Sequence, residues 1–242
     1  MLLISSYDSV QGIDRIIIIY FSIAMIIGIL LTGVLILMKI HKIDIVSSRR
    51  FLVGAAMFAL LMGIGRLVFL YHDYFADDSI DALLWTIASG LSLGSLTSIT
   101  FAIEKYIFQR TKMAASIMAI ICIILVLFLG FMSQFYAGSD SSQALKALAY
   151  AKIPMYIGTG VVIVIPFFIY IYIAKISTGS LRRQAIIIIS GMLVMFIAQV
   201  GGMLLFTIHV FNVLESQLFG ILIAFVGVVI LSLGLAKTPG AH

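Results

Sequence analysis

Residues 16–40 read IIIIYFSIAMIIGILLTGVLILMKI, and the one charge in this run is Lys39, next to its end. A helix needs about 20 apolar residues to cross the hydrocarbon core of a bilayer. In lipid the backbone finds no partner outside its own segment, so an unbroken run of this length predicts a membrane-spanning helix. Six further runs of this kind follow, at about 51–72, 82–107, 113–133, 148–174, 184–210 and 215–236. The sequence therefore predicts an all-α integral membrane protein with seven transmembrane helices in a single domain, residues 1–242.

The composition excludes an ordinary soluble domain. Hydrophobic residues make up 63% of the 242 positions and charged residues 10%, against about 45–50% and about 25% in soluble globular proteins. The net charge of +5 does not predict a nucleic-acid partner, because the basic residues lie in short loops between apolar runs. Those loops are too short for a catalytic domain, and no phosphate-binding loop, zinc-protease motif or nucleophile elbow occurs. We therefore expect no enzyme, and a lipid bilayer as the main partner.

The basic residues are divided unequally between the two sides of the seven runs. One side holds only Arg15, Lys146 and Lys152. The other side holds Lys39, Lys42, Arg49, Arg50, Lys105, Arg110, Lys112, Lys175, Arg182, Arg183 and Lys237. Lysine and arginine are enriched in cytoplasmic loops. We therefore predict a multi-pass protein of the cell membrane, with its N-terminus outside and its C-terminus in the cytoplasm.

Two parts of the chain share a pattern that indicates an internal repeat. Residues 42–50 (KIDIVSSRR) and 175–183 (KISTGSLRR) agree at five positions, and residues 81–85 (DALLW) correspond to 215–219 (ESQLF). We predict two parallel three-helix units, as in some transporters. Chance is the alternative, because basic pairs at inner ends and aromatic residues at outer ends are common in membrane proteins. The units would be residues 15–107 and 148–236, joined by a linker helix at 113–133.

Arg66 is the one charge that lies clearly inside an apolar run. It follows Phe51 by 15 residues, which places it about 22 Å from the inner boundary, in the outer third of the core. A charge at this depth is a candidate for function, although the side chain could instead extend to the outer headgroups. The candidate ligand pocket contains Arg66, Gln199, Trp85, Ser89, Asp81 and Glu215.

The partners of Arg66 in this pocket follow from the repeat and from helix geometry. Gln199 is its counterpart in the second unit. Trp85 and Ser89 lie one and two turns into the third run, hence about 6 and 12 Å deep, while Asp81 and Glu215 lie near the outer mouth. A cation beside hydroxyl and amide donors suits a small polar or anionic ligand.

The third run is the most polar, and its hydroxyl groups permit two interpretations. Hydroxyl and small residues favour close packing and hydrogen bonds between helices, but they could also line a hydrophilic path. The residues concerned are Ser89, Ser92, Ser95, Thr97, Ser98 and Thr100.

Two histidines, His72 and His209, lie near outer helix ends, where they could ligate a metal or a haem. Nothing beyond their position supports such a site. We therefore predict no metal and no cofactor.

Seven helices with an outside N-terminus resemble the layout of rhodopsins and G-protein-coupled receptors. Residues 104–106 (EKY) look like the acidic-basic-Tyr triplet of class A receptors, whereas the last run holds neither a lysine for retinal nor a proline. The two-times-three arrangement resembles sugar uniporters of the SWEET type, whose proline motif is missing from the first run. The resemblances imply either a receptor or a facilitative transporter.

Two function classes therefore lead. The first is a receptor-like sensor, which binds a small polar or anionic ligand from the extracellular side and signals through a partner protein at the basic inner loops. The alternative is a facilitative small-solute transporter or channel with a site between the two repeats, and a third option is a structural subunit of a larger complex. Sparse polarity inside the bundle favours the sensor, because a permeating hydrophilic solute needs a continuous polar path. No oligomeric state is predicted.

Overall fold

The computed structural model describes residues 13–41, 44–76, 80–107, 109, 112–137, 141–207 and 213–236. Within these ranges all regular structure is helical, and each predicted apolar run overlaps with one helix. The helices are α1 (Ile13–Ile40), α2 (Val46–Phe75), α3 (Asp81–Tyr106), α4 (Ala114–Ala137), α5 (Ser141–Ile176), α6 (Gly179–Thr207) and α7 (Val213–Ala236).

Five of these helices, α1 to α5, are long and apolar enough within the described residues to cross a membrane. In α7 the described apolar stretch, Leu218–Leu231, is shorter. Large apolar side chains also cover the outside of the bundle, among them Tyr20, Leu35 and Phe168. An apolar exterior of this kind belongs in lipid, so the prediction of a helical, multi-pass membrane protein is confirmed.

The helices form a closed ring in chain order. Each helix packs on the next, and α1 packs on α7 to complete the ring. In addition, α3 contacts α5 and α2 contacts α7. The pairs α2–α3 and α6–α7 make the most extensive contacts, and they are the pairs that the predicted repeat would make equivalent.

Glycine allows several of these helices to approach closely. A Cβ added to Gly191 on α6 would lie 2.6 Å from the backbone nitrogen of Leu231 on α7. On α1, a Cβ added to Gly28 would lie 2.5 Å from Cε2 of Phe225, at the parallel α1–α7 contact that closes the ring. Small residues at helix contacts are the usual means of association in a membrane, where burial from water supplies no driving force between helices.

The two ends of the bundle differ in charge. Where α1, α3 and α5 end and α2, α4 and α6 begin, the described basic side chains are all exposed. These are Lys39, Arg49, Arg50, Lys105, Lys112, Lys175, Arg182 and Arg183, whereas Lys42, Arg110 and Lys237 lie outside the described residues. The opposite end holds Arg15, Lys146 and Lys152. We call the first the basic end and the second the outer end.

Candidate functional site

The contact between α2 and α3 brings part of the predicted pocket to one level. A Cβ added to Gly65 would lie 3.0 Å from Ser92 Oγ and 3.3 Å from Leu91 Cβ. The two helices run in opposite directions, so Arg66, which follows Gly65, lies within one turn of the level of Ser89. Counting residues from the helix ends predicts a similar depth for these two residues.

The hydroxyl group of Ser89 differs from the others on α3. The Ser89 side chain is fully buried, and its Oγ has no hydrogen-bond partner among the described residues. Arg66 is half-buried and is already engaged in an interaction of its own. A buried polar atom without a partner costs free energy, and Ser89 Oγ is such an atom among the described residues.

Several other α3 hydroxyl groups donate hydrogen bonds to backbone carbonyls. Thr97 Oγ1 donates to the carbonyl of Leu93, 2.7 Å away on the same helix. Ser98 Oγ reaches the carbonyl of Gly54 on α2 at 3.2 Å, and Thr100 Oγ1 reaches that of Val162 on α5 at 3.2 Å. Their contribution to a hydrophilic lining is correspondingly small, because the groups are occupied by backbone.

A cluster of ionisable groups joins α2 and α3 at the outer end. His72 Nδ1 lies 2.6 Å from Oδ1 of Asp73, and His72 Nε2 lies 2.9 Å from Oδ1 of Asp81, the first residue of α3. The ring of Phe69 meets the imidazole edge-on, with centroids 6.4 Å apart. We call His72, Asp73 and Asp81 the outer triad. Asp81, predicted at the mouth of the pocket, is thus held by a histidine.

A cation from α1 lies near the end of α2. Arg15 donates a hydrogen bond to the backbone carbonyl of Tyr74, and its guanidinium carbon lies 5.6 Å from the centroid of the Tyr74 ring. The outer end of α2 is therefore tied to α3 through the outer triad and to α1 through Arg15.

The remaining predicted site residues are Trp85, Glu215 and Gln199. Trp85 is half-buried one turn after Asp81 on α3. Glu215 is exposed in the first turn of α7 and has an interaction of its own. Gln199 lies in α6, but its side chain is outside the described residues, as is His209. Most of the predicted site residues with described side chains thus lie on α2 and α3.

The middle of the bundle is apolar where a cavity occurs. This cavity has a volume of about 30 Å³, about the space of one water molecule, and its lining is apolar. The lining residues are Phe58, Leu96, Ile99, Val162, Ile163, Met192, Met195 and Leu231. The side chains that line it are all hydrophobic.

A second cavity is a groove on the outer surface between α4 and α5. Its volume is about 310 Å³, and it is open to the surroundings. Phe128, Met132 and Tyr150 line it beside Lys146. The groove lies apart from the α2–α3 pair and includes none of the predicted site residues.

Glu104, the acid of the EKY triplet, holds α3 to α4. Its carboxylate is fully buried and accepts hydrogen bonds from the backbone nitrogens of Ala115 and Ser116, at 3.1 and 2.9 Å, and from Ser116 Oγ at 2.5 Å. A carboxylate in this position caps a helix and complements its dipole. Lys105 is exposed, with its ammonium 5.1 Å from the centroid of the Phe101 ring. The triplet therefore has a structural role in this fold.

Comparisons of the chain with protein-family models, with curated proteins and with solved structures give no match. Within the described ranges, no group of three or more His, Cys, Asp or Glu side chains is arranged to hold a metal ion. The candidate site is consequently inferred from the packing of α2 against α3.

Sequence reasoning missed the role of His72, which it considered only as a metal or haem ligand. The signal was present, because His72 lies near the end of one predicted helix and Asp81 near the start of the next. A short connection between antiparallel helices brings such ends together, so an imidazole and a carboxylate at these places were candidates for an ion pair.

Proposed function

We propose that the chain is a receptor-like sensor of the cell membrane with seven spans, its N-terminus outside and its basic end in the cytoplasm. It binds a small polar or anionic ligand at the outer half of the α2–α3 pair. It signals through a partner protein that contacts the exposed basic residues. The charge difference between the two ends supports this orientation, because lysine and arginine are enriched in cytoplasmic loops.

The observation that carries the proposal is that Arg66 on α2 and Ser89 on α3 lie within one turn of the same level, as the contact of Gly65 with Ser92 indicates. Arg66 is half-buried, and the hydroxyl group of Ser89 is fully buried without a hydrogen-bond partner among the described residues. Arginine binds carboxylates and phosphates through charge-assisted hydrogen bonds. Below this level the cavity in the bundle is small and apolar, so a ligand that enters from outside would stop there.

One observation favours the alternative of a facilitative transporter with a site between two repeats. Gly65 packs on α3, while the carbonyl of Ala198, its counterpart at the repeat offset, lies 3.6 Å from where a Cβ of Gly220 on α7 would be. Both positions therefore face the following helix, which supports equivalence of Arg66 and Gln199. The apolar middle weighs against a permeation path for a hydrophilic solute.

Binding is tested by thermal unfolding of the purified protein against a panel of small carboxylates and phosphates. Cys122 is the single cysteine and is buried, so a thiol-reactive dye reports its exposure on unfolding. A ligand at about 100 times its Kd stabilises by about 2.7 kcal/mol, which corresponds to a rise of about 5–11 °C for a chain of this size.

The decisive variant is Arg66→Leu, which should abolish the rise produced by any stabilising anion. Arg50→Leu is the matched control, because Arg50 is exposed at the basic end and its loss should leave the rise intact. Equal stabilisation of the wild type and Arg66→Leu would refute the site, as would a panel without any effect. Uptake of the stabilising anion into proteoliposomes would favour the transporter.

A further inference from the structure

The two contacts of His72 bear on how many hydrogens the outer triad contains, and hence on its charge. His72 presents one ring nitrogen to Asp73 at 2.6 Å and the other to Asp81 at 2.9 Å. An ionised carboxylate only accepts hydrogen bonds, and a neutral imidazole carries one N–H. Two nitrogen–oxygen contacts at these distances need two hydrogens. When both contacts are hydrogen bonds, the triad contains one proton more than a neutral histidine with two ionised aspartates, and its net charge is −1.

The charged groups on the neighbouring helices do not take the place of this proton in the contacts of His72. On α1, Arg15 is engaged with Tyr74, and Asp14 is exposed at the start of the helix. On α7, Glu215 is exposed in the first turn. Among the described residues, the groups within ion-pair distance of the imidazole are the two carboxylates of the triad.

The two contacts of His72 have different structural consequences. Asp73 is the next residue on the same helix, so its contact links nothing that the backbone does not already link. Asp81 begins α3, so its contact joins the two helices. When one proton leaves, Nδ1–H can remain on the shorter contact to Asp73 while the lone pair of Nε2 faces the Asp81 carboxylate. The contact between the helices then becomes repulsive.

We propose that His72, Asp73 and Asp81 form a proton-binding site, and that the bound proton latches the outer end of α2 to the start of α3. The ligand of this site is a proton, so the site needs no cavity. The side chain of Asp81 is 39% exposed and that of His72 is 11% exposed, so water reaches the site through Asp81. That this site senses the acidity outside the cell rests on the proposed orientation and function. Proton binding by the triad does not depend on either.

When the latch is released, a movement of α3 can be transmitted to the basic end of the bundle. Below the triad, α2 and α3 touch through small residues, since a Cβ added to Gly54 would lie 2.5 Å from Cβ of Ala102. Because α3 is one continuous helix, Asp81–Tyr106, a shift of its first turn along α2 also moves its other end. At the inner end of α3, Glu104 carries such a shift to α4 through its hydrogen bonds to Ala115 and Ser116.

Trp85 provides a direct probe, because it is the single tryptophan and lies one turn after Asp81 on α3. Its emission is titrated from about pH 5 to about pH 9, the range in which histidine changes charge, with the full chain in lipid nanodiscs. The wild type should show one sigmoidal transition, and His72→Gln should abolish it. Asp81→Asn should shift its midpoint, because the imidazolium loses one carboxylate. His41→Gln is the matched control, since His41 is exposed at the basic end, and should titrate as the wild type does.

The outcomes separate this proposal from the receptor proposal. A flat wild-type titration, or a His72→Gln chain that titrates like the wild type, would overturn the proton site. Circular dichroism shows whether each variant is folded. If His72→Gln does not fold, Asp81→Asn tests the site alone. A shifted midpoint in Asp81→Asn supports the proton site, and an unchanged midpoint overturns it. Anion stabilisation that depends on Arg66 is measured at fixed pH, so its absence refutes only the anion site.

Discussion

Replacement of Gly191 by alanine tests how closely α6 and α7 are packed. A Cβ at this position would lie 2.6 Å from the backbone nitrogen of Leu231 and 2.8 Å from its Cα. Backbone atoms cannot turn aside as a side chain can, so α7 must move outward by about 1 Å to reach ordinary van der Waals contact. Overpacking of this kind costs about 1–3 kcal/mol, which corresponds to a fall of about 2–12 °C in the unfolding temperature.

The matched control is Gly160→Ala on α5. A Cβ there would meet nothing within 4 Å, so the substitution gains the better helix propensity of alanine without a steric penalty. Thermal unfolding is followed in both variants with a thiol-reactive dye at Cys122 on α4, a helix that carries neither substitution. We expect Gly160→Ala to unfold at or above the wild-type temperature and Gly191→Ala below it. An unfolding temperature of Gly191→Ala equal to that of the control would refute the close contact between α6 and α7.

Two further predictions concern the helix cap and the orientation. Glu104→Gln should lower the free energy of unfolding by about 1.5–3 kcal/mol, because an amide cannot accept all three hydrogen bonds of the carboxylate; Asp44→Asn, at an exposed residue, is the control in the same melt, and equal effects would contradict the cap. In a chain with Cys122→Ala, an impermeant thiol reagent added to intact cells should label Lys146→Cys and spare Arg182→Cys. The opposite pattern of labelling would reverse the orientation.

The helices could be predicted because the thickness of a bilayer fixes the length of apolar sequence that a helix needs. Their polar ends could not be predicted equally well. Helix α2 begins at Val46, five residues before the apolar run, and includes Arg49 and Arg50. Helix α5 begins at Ser141 and includes a polar first turn before the run at about 148. In both helices the backbone continues beyond the hydrocarbon region, where hydropathy carries no signal.

The candidate site was predictable only in depth. The level of Arg66 and Ser89 follows from counting residues at a fixed rise per residue. Whether a hydroxyl group such as that of Thr100 lines a path or bonds to a backbone carbonyl depends on how closely the neighbouring helix approaches. The pairing of His72 with Asp81 likewise depends on the direction that the chain takes between α2 and α3. Both are properties of packing, which one-dimensional patterns do not contain.

The parallel contact between α1 and α7 has a consequence for biogenesis. Gly28 leaves room for the ring of Phe225, yet these residues are separated by nearly the whole chain. During synthesis the first helix enters the bilayer long before the last one leaves the ribosome. Until then the face of α1 around Gly28 must contact lipid or an insertion chaperone. A premature stop before residue 213 would leave a breach in the ring, so we expect such truncated chains to be recognised by membrane quality control even though six helices are complete.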